Sequence, residues 1–309
     1  MRTGRPARTA FVVNSGSGTV TPIDLATRQA GAPITVGADP QAIAITPDGR
    51  TAYVANTGSG TVTPINTATN RAGPPIKTGA GPRSIAITPD GRTAYVLDWG
   101  GAAVTPIDVA TGRARPPVPV GGYPFAITIT PDGRTAYVAS YGSDTVTPIA
   151  TRTGRPGRPI RVGQAPDALA VTPDGSAVYV TGGDSSTVTP ITAATGRAGR
   201  PIGVGYSPAA IAMSRSGAVA YVVNTISGTL TPVSTVLAPT PPPHPRTSRA
   251  GQPVSVGVYS YPTAMALAGR TAVVAGTYGG RAVLVDTRTG RAVARIKTGR
   301  YPVAVAIAG

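Results

Sequence analysis

One spacing dominates this chain. Phe11, Tyr53, Tyr95, Tyr137, Tyr179 and Tyr221, each followed by Val, stand 42 positions apart (11 to 53, 53 to 95, and onward), and Val273 continues the series. A unit this short cannot bury its own apolar faces and must stack on like units. Seven copies predict a closed ring.

The second copy shows the parts most clearly: Ala42 to Thr46 (AIAIT), then Thr46-Pro47-Asp48-Gly49, Thr51 to Asn56 (TAYVAN), Thr61 to Ile65 (TVTPI) and Pro75 to Gly79 (PIKTG). Short β-rich runs bounded by Gly, Pro, Asn and Asp read as strands joined by tight turns. We label them A, B, C and D from the innermost outward. Thr-Pro-Asp-Gly places Pro at the second turn position and Gly at the fourth, the composition of a type I turn followed by a bulge. The turn recurs at Thr88, Thr130 and Thr172, decays to Ser214-Arg215-Ser216-Gly217, and is shortened at Ala268-Gly269. Four antiparallel strands per unit, seven times over, define an all-β seven-bladed β-propeller. The chain opens on a B strand (Ala10 to Asn14) and ends on an A strand (about 303–308). The C-terminal strand is therefore expected to join the N-terminal blade as its innermost strand, which removes free sheet edges.

The repeat resembles that of the YVTN-family propellers, roughly AIAITPDGRTAYVANSGSGTVSVIDTAT, over essentially all of residues 1–309. The resemblance implies a single propeller domain. Surface-layer, quinoprotein-like and lactonase propellers occur in that family, so function must be argued from the site.

The chain departs from the family pattern in two ways. Pro22, Pro64, Pro106, Pro148, Pro190 and Pro232 replace the second β-branched residue of strand C, and Pro cannot donate a ladder hydrogen bond. A bulge or a partly detached outer strand is expected there. The interval from Tyr221 to Val273 is also ten residues longer than the others, through a Pro-rich insert at about 235–248 that reads as an extended C–D loop.

Composition narrows the partners. No run of 18 apolar residues is present and Met1 to Arg8 has no apolar core, so neither a membrane span nor a signal peptide is expected, and the chain reads as cytoplasmic and monomeric. Twenty-eight basic residues against 12 acidic ones, all Asp, give a net charge of +16. Most Arg fall on A–B turns and C–D hairpins, spread around one rim instead of gathered in a groove. That spread argues against a specific nucleic-acid site and for weak, salt-sensitive polyanion binding at most.

Function is sought where the copies differ. In a propeller the B–C and D–A connections share one face, here called the top. Six of the 15 aromatic residues occupy the repeated B-strand position. The other nine all fall on top: Trp99, Tyr141 and Tyr278 in B–C loops, and Tyr123, Phe125, Tyr206, Tyr259, Tyr261 and Tyr301 in or just after D–A loops. Unrepeated charge joins them at Asp98, Asp144 and Asp184, and at Asp39, Arg83, Asp167 and Arg300 beside the D–A prolines. Residues just after those prolines begin strand A, so Gln41, Arg83, Phe125, Asp167, Ala209, Thr263 and Val303 should ring the channel mouth. An apolar cavity with a few convergent polar groups is the ordinary form of a small-molecule site. The bland alternatives are loop Tyr residues that merely cover blade ends and an Asp98 that caps its loop.

The single His, His244, lies in the insert and on the opposite face, so no Ser-His-Asp triad, His base or His-ligated metal is expected on top, and no cofactor motif appears. What remains is metal-free acid–base chemistry. Asp98, Asp167 and Asp184 are the candidate acids or bases, because a carboxyl desolvated against aromatic walls has its pKa raised towards neutrality. Arg83, Trp99, Tyr123, Phe125, Tyr141, Tyr206, Tyr259, Tyr261, Tyr278, Arg300 and Tyr301 are the candidate ligand contacts. This suits a lyase, isomerase, cyclase or lactone hydrolase acting on a small molecule. The rival reading is a non-catalytic propeller whose aromatic top binds a peptide or protein.

Overall fold

A computed structural model of the chain describes residues 9–235, 250–255, 262–268, 271–276, 280–289 and 291–308. It is a seven-bladed propeller of antiparallel sheets ordered D-C-B-A towards the axis. In blade 2, strand A is Pro40–Ile45, B is Thr51–Asn56, C is Thr61–Asn66, and D is split into Arg71–Ala72 and Ile76–Lys77. Blades 3 to 7 start their A strands at Pro82, Pro124, Pro166, Pro208 and Pro262. Blade 1 takes B from Thr9–Asn14 and A from Pro302–Ala308, paired Thr9 with Ala308, Ala10 with Ile307 and Phe11 with Ala306. Head and tail thus share one sheet, as the order of segments requires.

The core lies between blades. Each of seven apolar clusters joins two neighbours: Phe11, Val13 and Val20 of blade 1 pack on Ala52, Val54 and Ile65 of blade 2, and Val273, Ala275 and Leu284 of blade 7 on Ala10, Val12 and Ile23 of blade 1. The B-strand Tyr adds a polar tie. Tyr95 Oη donates to the Thr151 carbonyl one blade on (2.9 Å), and Tyr179 Oη does the same to Thr235 (3.1 Å).

The strand C prolines do split strand D. Pro22 pairs with Phe11 on the B side without loss, because both its nitrogen and its carbonyl face strand D, where the carbonyl accepts Gly31 N–H (2.8 Å). Blade 7 supplies the control. Leu284 occupies the Pro position there, and strand D runs unbroken over Arg291–Lys297. Apart from Thr235, the Pro-rich insert with His244 lies outside the described residues.

On the bottom, each Thr-Pro-Asp-Gly closes on itself: Gly49 N–H donates to the Thr46 carbonyl at φ +73°, and the Thr46 hydroxyl (2.6 Å) and Arg50 N–H (3.0 Å) both donate to Asp48. The Thr46 hydroxyl, then the Arg50 amide, hold the Asp48 carboxyl below its ordinary range. Asp90, Asp132 and Asp174 repeat this arrangement. These acids belong to turns, which leaves the unrepeated top-face acids to account for.

Candidate functional site

Strand A makes the site through a repeated irregularity. Pro40 pairs with Asn56, yet Ala42 pairs with Ala55, so Gln41 is an extra residue outside the ladder. The same slip leaves out Arg83, Phe125, Asp167, Ala209 and Thr263, and in blade 1 Val303. The residue before each described Pro turns the chain with positive φ: Asp39, Gly81, Tyr123, Ala165, Ser207 and Tyr301 lie between +49° and +65°. A bulge of this kind re-aims the extra side chain. Here it aims at the axis: Gln41, Arg83, Phe125, Asp167, Ala209 and Val303, with Ala42, Ser84 and Ala126 behind them, line a cavity of about 310 Å³. The side chain of Thr263 lies outside the described residues. That volume suits a small organic molecule, since such sites run from about 300 to 1,000 Å³.

Among the described lining residues one is a cation, Arg83, and one a carboxyl, Asp167. The Arg83 guanidinium lies 3.9 Å above the centre of the Phe125 ring, a cation–π stack that fixes its plane. Burial lowers its pKa, opposed by the charges of Asp167 and Asp39, but a guanidinium starts high enough to stay charged. Asp167, two blades away, sits with Oδ2 where a Cβ on Gly183 would fall, so this loop glycine makes room for the carboxyl. Burial first, and then the charge of Asp184, push Asp167 up to about 7 against the pull of Arg83. Neither group is neutralised by an ion pair: among the described residues these are Arg115 with Asp108 (2.9 Å) and Arg134 with Asp132 (3.9 Å), both elsewhere. Gln41 Nε2 donates to Asp39 Oδ1 at 2.6 Å, which anchors the third polar wall. No group of three His, Cys, Asp or Glu gathers to hold a metal among the described residues.

The candidate acids separate into three environments. Asp167 faces the cavity, and Asp184 is exposed on the loop beside it. Asp98 is a correction: it ends strand B fully buried, away from the cavity. It stands in register with Asn14, Asn56 and Asn224, whose Nδ2 groups donate to threonine hydroxyls, Asn56 to Thr63 at 2.9 Å for example. An ionised Asp has no hydrogen to give, so Thr105 donates to it instead (2.5 Å). Its Oδ1, like the Oδ1 of those three Asn residues, has no hydrogen-bond partner among the described residues. Burial raises Asp98 to about 6. Asp144, at φ +53°, accepts Ala165 N–H (3.0 Å) and serves its loop.

Of the described aromatic candidates only Phe125 lines the cavity. Tyr141 lies behind it, ring centres 5.9 Å apart, and Trp99 meets Tyr123 at 5.7 Å on the rim. Tyr206 (71% exposed) and Tyr301 (47%) stand on the rim of other blades, with exposed Arg300 beside Tyr301. Tyr259, Tyr261 and Tyr278 lie outside the described residues. The expected ring omitted three lining residues, Ala42, Ser84 and Ala126, of which Ser84 is the polar one. Its signal was present, since the second position after the strand A proline is Ala in every other copy.

Fold and cavity together define a seven-bladed propeller with an axial pocket lined by apolar and polar side chains. Residues 66–200, less than half of the chain, match the family model described as lactonase, 7-bladed beta-propeller. Among solved structures, a putative 6-phosphogluconolactonase from Bacteroides fragilis is similar at 17% identity over 100% of both chains, with a TM-score of 0.81. The periplasmic gluconolactonase of Pseudomonas aeruginosa is similar at 19% identity over 98% of this chain and 99% of that one (TM-score 0.80). Kuenenia stuttgartiensis hydrazine synthase is similar at 21% over 87% and 90% (TM-score 0.77). Identities this low speak for the fold. Curated protein sequences contain no match to the chain.

Proposed function

We propose that this chain is a lactone hydrolase of the propeller type, akin to the lactonase members of the YVTN family, that works in its axial cavity with its own side chains. The carrying observation is the pairing of Asp167, held near neutrality, with an Arg83 that is pinned on Phe125 and makes no ion pair among the described residues. The family match over residues 66–200 spans Arg83, Phe125 and Asp167 and supports this reading. Asp167 removes a proton from water as the oxygen adds to the ring carbonyl. Arg83 donates to the oxyanion, as preorganised donors do in acyl transfer. The acyl–oxygen bond then breaks, Asp167 returns the proton to the departing alkoxide, and a hydroxy acid leaves.

A panel of γ- and δ-lactones followed with a pH indicator tests this. Hydrolysis should rise with pH and level off above about 7 as Asp167 ionises. Asp167→Asn should lower kcat/KM by about 10²- to 10⁴-fold, the contribution of a positioned general base. Full turnover by that variant would refute the assignment.

A further inference from the structure

The rim is not uniform. Over blades 3 and 4 four aromatic rings form a crescent of two pairs, Trp99 against Tyr123 and Tyr141 behind Phe125, with Tyr123 also lying over Gly142, the neighbour of Tyr141. Its inner end is Phe125, which is also a wall of the cavity. Its outer part is open, with Trp99 43%, Tyr141 42% and Tyr123 61% exposed. Water contact at three large neighbouring rings is unfavourable unless something covers them.

Two further features point to what does so. The rings are flanked by bare backbone, in Trp99-Gly100-Gly101, Gly121-Gly122-Tyr123 and Tyr141-Gly142, and a Cβ added at Gly122 would meet nothing within 4 Å. The glycines add no side-chain donor or acceptor of their own, so the hydrogen-bonding groups of the patch are the Trp99 indole N–H, the Tyr123 and Tyr141 hydroxyls and Ser143; what the glycines leave open is ring face, and a flat apolar ring is held by face and edge contacts alone. Tyr123 is also held at φ +53°, where the equivalent residues of other blades are Asp39, Gly81, Ala165, Ser207 and Tyr301. A bulky residue in that conformation is uncommon and strained, so the position of this ring is maintained against a local preference.

We infer that the crescent is a subsite for a planar apolar ring carried by the substrate, outside the cavity that holds its lactone. The inference rests on the lactone-hydrolase reading for the reacting end of the molecule and adds the class: aryl-substituted lactones, in which the ring lies on Trp99 and Tyr123 while the acyl group reaches Arg83 and Asp167.

Trp99 is the only tryptophan of the chain and lies in the crescent, so its emission reports occupancy without turnover. The experiment titrates the protein with γ-phenyl-γ-butyrolactone and with γ-butyrolactone, and measures hydrolysis of both. The aryl lactone should perturb Trp99 and bind about tenfold more tightly, the scale of one good ring contact plus its burial. Tyr123→Ala should erase that ratio and Tyr123→Phe should keep it, a readout that a mere loss of folded protein does not move. Equal binding of the two lactones overturns the subsite, even if both are hydrolysed. Retained discrimination with no hydrolysis of either overturns the hydrolase reading and leaves the subsite standing. A Trp99 response unaffected by Arg83→Ala would show a ring bound without its lactone in the cavity, overturning the link and making the crescent a docking surface for an apolar partner. Silence in both assays overturns both proposals.

Discussion

Replacing Asp98 by Asn restores the residue that blades 1, 2 and 6 carry at the end of strand B, and the change should stabilise the protein in a pH-dependent way. The wild-type carboxyl is fully buried, and burial lifts it from 3.8 to about 6, against the Thr105 hydroxyl and the Gly79 amide, which favour the ionised form. A folded-state pKa above the unfolded one means that Asp98 costs nothing below about pH 4. Stability is then lost as the pH rises through 6 and is level beyond. The full loss is the shift of about 2 units at 1.36 kcal/mol each, about 3 kcal/mol. Asn carries no charge to desolvate, and its Nδ2 can donate to Thr105 as Asn56 donates to Thr63. In urea unfolding, the advantage of Asp98→Asn over wild type should therefore grow from about 1 kcal/mol at pH 4.5 to about 3 kcal/mol at pH 8. For a chain of this length the latter is a rise in Tm of about 5 °C. An advantage that is the same at both pH values would refute the reasoning, because it would place the effect in packing or hydrogen bonding and not in the buried charge. A less stable variant at pH 8 would show that the ionised carboxyl is favoured in its niche.

Other consequences follow from the same fold. Gly37→Ala puts a methyl 2.7 Å from the Asn56 side chain, against Gly49→Ala, where φ is +73° but nothing lies within 4 Å. The first should cost about 2–4 kcal/mol through steric displacement of a buried residue and the second about 1 kcal/mol of backbone strain, and equal losses in denaturant melts would contradict the geometry. Removal of residues 302–308 takes strand A from blade 1 and bares the edge of Thr9–Asn14. The truncated chain should aggregate or fail to fold as judged by size exclusion and circular dichroism, and a stable monomer would mean that closure contributes little.

The fold was readable because its determinants are local and repeated. Thr-Pro-Asp-Gly states its own turn, the Tyr spacing sets the blade, and a chain that starts on strand B and ends on strand A has one way to close. The break in strand D was also readable, since Pro22 and its counterparts lack a donor on the side that blade 7, with Leu284, can still use. The lining of the axial cavity was readable where the period fixes direction: the residue after each D–A proline starts the innermost strand, which put Arg83, Phe125 and Asp167 together. Legibility failed where one residue separates strand from loop. Asp98 reads like Asp184 by composition, yet its register with Asn14, Asn56 and Asn224 makes it the last residue of strand B, facing Gly79 of the preceding blade's D–A connection. How far a loop ring stands from the axis has no counterpart in the spacing, so Trp99 and Tyr206 stood among the ligand contacts although the structure leaves them on the rim.

The slipped residue that opens each A strand gives the molecule a division of labour. Because Gln41, Arg83, Phe125, Asp167, Ala209 and Val303 take no part in pairing with strand B, exchanging any of them asks nothing of the surrounding weave. The centre behaves as a dial of interchangeable settings mounted on a fixed wheel. Ala209 and Val303 are its blank positions, the places where a new polar group would enter the pocket at least cost to the frame.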